Sequence, residues 1–348
     1  MKIGLFDHVE HSPNRALATQ FDERLEFAVE AEAADFHCLH VAEHHSSPLN
    51  MVPAPGVYLS AVARVTSRIR LGPLVYLLTL YSPLRLAEEI CMLDHLSNGR
   101  LEVGVGRGVS PFELNFHKID HEESREIFFD AYDCIKTALT NDEFSHDGKY
   151  FSYSGVPMPL RPLQDPHPAF WYGSSNPIGA TWAGEQGMQF TTNGPTEKAR
   201  KNIDAFRAAL AKRGGAAQPK TDFAGGAAIG LLRHIVVGET DEEARRIAKP
   251  ALEHHAGSLN WLRKRHGSTE FTNRLNIHRS ETFEGWQEMN MVIAGSPETV
   301  AAEITRQTQE TGINYLLTYL FFGTMTLSDA LTSLHLFRDE VMPKLANI

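Results

Sequence analysis

The regular exchange of two periodicities constrains this chain more than any other feature. Apolar runs that suit strands alternate with amphipathic runs of helical spacing along most of its length. Lys2–Phe6 reads as a first strand, and Phe21–Ala34 follows with apolar residues at Phe21, Leu25, Ala28 and Val29. Further strands are expected at Cys38–Ala42, Ile69–Tyr76, Leu101–Val105, Ala169–Tyr172, Met188–Thr191, Ala228–Val237 and Ile313–Leu320, each followed by a helix. Local chemistry marks several boundaries. Ser82-Pro83 and Ser296-Pro297 place a cap and an N1 proline at helix starts, Thr240 and Glu243 have capping-box spacing, and Asn98-Gly99 and Gly312 supply left-handed stops. Eight strand–helix units predict a single α/β domain over 1–348, a (β/α)8 TIM barrel rather than an open sheet. Two segments interrupt the alternation. Phe144–Tyr153 reads as a hairpin insertion around Asp147-Gly148, and 257–291, polar and weakly periodic, as a lid-like insertion after strand 7.

Bulk properties narrow the function classes. A length of 348 residues at 42% hydrophobic content suits one large barrel with its own core. The formal net charge of −10 and the absence of a basic cluster argue against nucleic acid. Cys38, Cys91 and Cys134 are far apart and odd in number, which fits a reducing, cytoplasmic setting better than a disulfide framework. The chain enters a strand at once and has no apolar run near the length of a membrane span, so neither a leader nor a membrane segment is expected.

In a barrel of this kind the reacting groups sit at the C-terminal ends of the strands. That rule selects Asp7 and His8, Glu43-His44-His45, the stretch from Tyr76 to Tyr81, Gly106-Arg107-Gly108, and Gly173-Ser174-Ser175-Asn176. The histidine pair admits three readings: proton transfer near neutral pH, hydrogen-bonded loop histidines, or a metal site. Adjacent residues on an extended chain point to opposite faces, which weighs against one shared metal. Arg107 in its glycine turn, Arg125 near the start of the next helix, and the Ser175-Asn176 helix entrance have the chemistry of a phosphate site. Guanidinium groups and helix-terminal N–H groups both favour an anion. The turn from Gly104 to Val109 lacks the third glycine of a dinucleotide fingerprint.

These residues, taken with Ile69-Arg70-Leu71-Gly72, Pro83-x-Arg85-x-Ala87-Glu88 and Leu93-Asp94-x-Leu96-Ser97-x-Gly99-Arg100, resemble the bacterial luciferase-like flavin monooxygenases. The resemblance resumes at Trp182-Ala183-x-Glu185-x-Gly187 and Gly295-Ser296-Pro297-Glu298, and closes on Leu336-Phe337-x-x-Glu340-Val341-Met342-Pro343. It implies a barrel that takes reduced FMN from a separate flavin reductase and forms an adduct with O2 at the flavin C4a carbon. Oxygen would then pass to a small organic substrate. It implies His44 as the catalytic histidine, Arg107 and Arg125 at the phosphate, and Ser175 and Asn176 as further phosphate contacts. Phe6 would lie near the flavin ring, Gly106 and Gly108 would give close backbone approach, and Leu74-Val75 would face the flavin through a non-prolyl cis peptide. A homodimer through the early helices is implied as well. Where the light-emitting members have a reactive cysteine this chain has Gly106, and where they have Glu-Ser it has Ser175-Asn176, which argues against bioluminescence. F420-dependent oxidoreductases share the barrel and stand as the alternative cofactor class, and a non-enzymatic flavin-binding protein is the further alternative.

Overall fold

The computed structural model describes residues 1–267 and 280–346. Its main strands are β1 Lys2–Asp7, β2 Cys38–Val41, β3 Arg70–Pro73, β4 Tyr76–Leu77 and β5 Val103–Gly106. After a separate antiparallel hairpin, β6 Glu143–Asp147 with β7 Ser152–Pro157, come β8 Phe170–Gly173, β9 Gln189–Thr192, β10 Ile229–Val237, β11 Val292–Gly295 and β12 Tyr315–Tyr319. The large sheet is parallel and runs β3-β2-β1-β12-β10-β9-β8-β5-β4. β3 and β4 are two parts of one strand position, separated by a cis bond between Leu74 and Val75. The first part pairs back to β2 and the second forward to β5, so the ring closes through this break. The expected eight-position barrel is what the chain forms.

The lid expectation needs correction. Helix α8 runs through Asp241–His266, so the first part of the expected loop is helical. Residues 268–279 of that segment lie outside the described residues, and Phe283–Glu288 is a short helix with Phe283 and Trp286 buried. The sequence reading also missed β11, a four-residue run too short to show a period. β10 is long enough to fork: Gly230 to His234 pair with β12, and His234 to Val237 pair with β11.

Local boundaries follow the capping chemistry with two exceptions. Ser296 accepts the Thr299 N–H as expected, but Ser82 makes no side-chain cap and leaves the start of helix α3, Pro83–Leu96, to the proline alone. Thr240 accepts from Glu243 N–H, while the Glu243 carboxylate reaches back to Glu239 N–H rather than to the cap residue.

Alternate residues of each strand fill the barrel interior. Near the bottom, His40, Trp171 and Tyr315 are fully buried. Gly4 is required beside them: a Cβ there would lie 1.7 Å from the Tyr315 hydroxyl. One strand period further up the same faces come Phe6, Leu232 and Leu317, the floor of the cavity described below. His40 shares a hydrogen bond of 3.1 Å with Tyr315, and burial pulls its imidazole down to about 3. The folded chain therefore holds His40 neutral where an unfolded chain would protonate it. Stability is complete above pH 6.5 and falls as the pH drops towards 3, by about 1.4 kcal/mol per pH unit for this one group. Urea unfolding of His40→Asn between pH 7 and 4 is expected to show a shallower loss than wild type; equal slopes would refute this origin.

Candidate active site

A cavity of about 360 Å³ opens at the C-terminal ends of the strands. Such a volume lies in the range of cofactor clefts. Its wall contains Phe6, His44, Leu74, Val75, Gly106, Arg107, Gly108, Ser175 and Asn176. Nine of the ten expected site residues therefore share one space, although they come from five separate strand ends. Arg125 is the exception. It does not line the cavity, and its guanidinium lies 5.6 Å from the centre of the Phe129 ring. Its charge nonetheless reaches Arg107.

Each wall has a local cause. Leu74 and Val75 reach the cavity because the third strand position breaks there. β5 approaches this break so closely that a Cβ on Gly106 would lie 2.4 Å from Val75 Cγ2, which leaves glycine as the residue that fits. Gly108 turns the chain at φ +87°, and the Arg107 carbonyl is held by the Thr79 hydroxyl at 2.9 Å. Arg107 is half-buried, and among the described residues it forms no ion pair. Burial lowers its proton affinity; Tyr172 opposes that and Arg125 reinforces it. The Arg125 charge thus acts on Arg107 at the cavity edge, with Glu122 opposing it, and a phosphate dianion would relieve the repulsion between the two cations. At the neighbouring strand end, after β8, Asn176 caps helix α6, Pro177–Gln186, by accepting the Gly179 N–H at 3.0 Å, and Ser174 folds onto the Asn176 backbone. The Asn176 side chain is therefore committed to the helix entrance, while Ser175 stays exposed at the cavity edge.

The histidine pair divides its work. His45 lies 2.9 Å from the Glu43 carboxylate and packs its ring on His117 at 4.7 Å. The second Glu43 oxygen accepts from Leu77 N–H and the Tyr81 hydroxyl, each at 3.0 Å. Glu43 thereby ties the loop after β2 to the wall after β4. His44 turns the other way, into the cavity, with Nδ1 3.1 Å from Glu113 Oε1. A carboxylate accepts, so a neutral His44 ring carries its proton on Nδ1 and has its acceptor nitrogen at Nε2. Among the described residues no group of three or more His, Cys, Asp or Glu is placed to hold a metal.

Glu113 was not anticipated. It is buried at the third position of helix α4, Pro111–Phe116, where Ser110 caps its N–H. The Ser110-Pro111-x-Glu113 pattern matches the helix starts recognised elsewhere and would have revealed it. Other residues assigned no role have clear places. Trp182 packs among Phe128, Phe129, Tyr132 and Tyr172. His255 of α8 forms a buried contact of 2.9 Å with Glu10.

Comparison with known proteins adds to this geometry. The family model described as luciferase-like monooxygenase matches residues 1–315. An uncharacterized protein of Sinorhizobium fredii, y4wF, is 36% identical over 344 residues, which cover 99% of this chain and 97% of that protein. The oxygenase component of a flavin-dependent trigonelline monooxygenase from Acinetobacter baylyi is 26% identical over 70% of this chain and 67% of its own length. Among solved structures, the oxygenating constituent of 3,6-diketocamphane monooxygenase from Pseudomonas putida, in complex with FMN, superposes with a TM-score of 0.80 at 21% identity, over 99% of this chain and 98% of that one. An F420-dependent secondary alcohol dehydrogenase superposes with a TM-score of 0.74 at 16% identity, over 99% and 98% of the two chains.

Proposed function

The chain belongs to the luciferase-like monooxygenase family, and from that premise we propose that it is a flavin-dependent monooxygenase that uses reduced FMN and O2 to oxygenate a small organic substrate. The observation that carries this reading is the shared cavity, with a cation lacking an ion pair among the described residues, Arg107, at one edge and an ionisable imidazole, His44, in its wall. When bound, reduced FMN supplies the electrons that activate oxygen; the protein supplies binding, orientation and proton control.

Arg107 anchors the phosphate, Arg125 adds a longer-range charge, and the Ser175–Asn176 entrance completes the anion site from the neighbouring strand end. Phe6, Leu74 and Val75 offer apolar contact to a flat ring, and Gly106 and Gly108 keep the backbone close to it. His44 holds or delivers a proton at Nε2 while Glu113 fixes its ring through Nδ1. A separate reductase would provide the reduced flavin, since this chain carries no dinucleotide fingerprint and the Acinetobacter relative is named as an oxygenase component. A second copy of the chain would cover the apolar side chains exposed on the early helices: Leu17 and Val29 on α1 (Leu17–Ala33), Val57 and Val65 on α2 (Pro55–Val65), and Met92 and Leu96 on α3.

The second reading is an F420-dependent oxidoreductase, favoured by the likeness to the F420-dependent alcohol dehydrogenase. Isotopic oxygen separates the two. With an NADH-driven FMN reductase, 18O2 and a panel of a cyclic ketone, an aldehyde and a cationic N-heteroaromatic, one 18O atom is expected in the product. Turnover under strict anaerobiosis with reduced F420, and none with FMN and oxygen, would overturn the monooxygenase reading.

A further inference from the structure

His44 and Arg107 stand on separate loops, after β2 and after β5. The residue before His44 provides a route between them. Glu43 is buried and lines the cavity. Its Oε1 accepts from His45 Nε2 at 2.9 Å, and its Oε2 accepts from the Leu77 N–H and the Tyr81 hydroxyl at 3.0 Å each. Leu77 and Tyr81 bracket one turn of 3-10 helix, Leu78–Leu80. In the middle of that turn Thr79, also buried, donates its hydroxyl to the Arg107 carbonyl at 2.9 Å. Two bonds to one carboxylate oxygen thus hold both ends of the turn that in its middle holds Arg107. The sheet supports the same connection, because Leu77 pairs with Gly106, directly before Arg107. Burial and the Glu43 charge push the Tyr81 hydroxyl well above its ordinary range, so it remains a donor.

The three donors also fix which atoms can replace this carboxylate. A carboxylate only accepts, so a neutral His45 ring carries its proton on Nε2. A glutamine at this position has one accepting oxygen. Leu77 N–H is a buried main-chain donor, and turning an NH2 group towards it would leave it unsatisfied. The amide oxygen therefore stays with Leu77 and Tyr81, and the NH2 group turns to His45. That ring can accept at Nε2 only when its own proton moves to Nδ1.

We propose that Glu43 is a positioning residue that fixes the separation of His44 and Arg107: its main chain leads into His44, and its carboxylate holds the Arg107 turn through Leu77, Tyr81 and Thr79. The consequence for catalysis rests on the roles given to His44 and Arg107 above, whereas the connection is a property of the flavin-free chain. A displacement of about 1 Å between such groups lowers a rate by up to about 10²-fold, so Glu43→Leu is expected to lower turnover by roughly 10- to 10²-fold.

The test is heteronuclear NMR of the flavin-free chain at a pH where the imidazoles are neutral. The Gly108 amide nitrogen belongs to the same peptide unit as the Arg107 carbonyl, so its shift reports the bond from Thr79. Thr79→Val removes that bond and gives the released position of the signal. Glu43→Leu, which frees both ends of the turn, is expected to move the signal towards the released position. Tyr81→Phe frees one end and is expected to move it part of the way, which keeps the test open if Glu43→Leu does not fold. Glu43→Gln is expected to leave the signal at its wild-type position and to transfer the His45 proton from Nε2 to Nδ1. A Gly108 signal that Thr79→Val leaves in place overturns the proposal at its last link. A signal that Thr79→Val moves but Glu43→Leu and Tyr81→Phe do not overturns it at the first, and so does a His45 ring that keeps its Nε2 proton in Glu43→Gln. Any of these failures leaves the monooxygenase reading untouched, because no flavin is present.

Discussion

Replacing His44 by alanine is expected to lower product formation by about 10² to 10⁴-fold while flavin affinity changes by less than about threefold. The asymmetry follows from where the side chain lies. Its Nδ1 is fixed by Glu113 and its ring lines the cavity, whereas Arg107 supplies the binding charge. Loss of the imidazole removes a proton carrier and leaves the phosphate contacts in place. Parallel measurement of FMN dissociation and of coupled oxygenation in the presence of a reductase checks both halves. Turnover equal to wild type would remove His44 from the chemistry; a matching loss of flavin would make it a binding residue. Glu113→Gln refines the result. An amide oxygen still accepts from Nδ1 but carries no charge, so most of the orientation survives and the pH dependence of turnover shifts.

The second large effect concerns the anion site. Arg107→Met keeps the apolar stem and removes the charged fork. Charge-assisted hydrogen bonds of this kind contribute about 1.5–3 kcal/mol, which corresponds to FMN binding roughly 10- to 100-fold weaker. Riboflavin, which has the same ring and no phosphate, is expected to change by less than about twofold. Arg125→Met is expected to have the smaller effect, because that residue stands outside the cavity and acts through its field alone. Equal losses for FMN and riboflavin in Arg107→Met would place the arginine against the ring rather than the phosphate.

Most of the site was legible because it obeys two one-dimensional rules. Strand ends carry the chemistry of a barrel, and glycine marks close approach or a left-handed turn; together they picked out His44, Gly106, Arg107 and Gly108. Glu113 escaped because its helix is six residues long and shows no period, although its capping pattern was present. The role of Glu43 escaped because one carboxylate gathers three partners from different loops, and no spacing within the chain records that. The expected lid was misjudged where polar side chains face outward along a helix of 26 residues, whose apolar stripe is narrow.

The sequence by itself determined the barrel, most of the residues that line its cavity and the family. Each of these follows from local periodicity, turn chemistry or short motifs, which act over a few residues. Only the tertiary structure decided what each histidine faces. His44 meets Glu113 and His8, His45 meets Glu43, and His255 meets Glu10, through contacts that span 69 residues in the first case. An imidazole takes its protonation and orientation from the carboxylate or ring beside it, and closure of the barrel selects that neighbour.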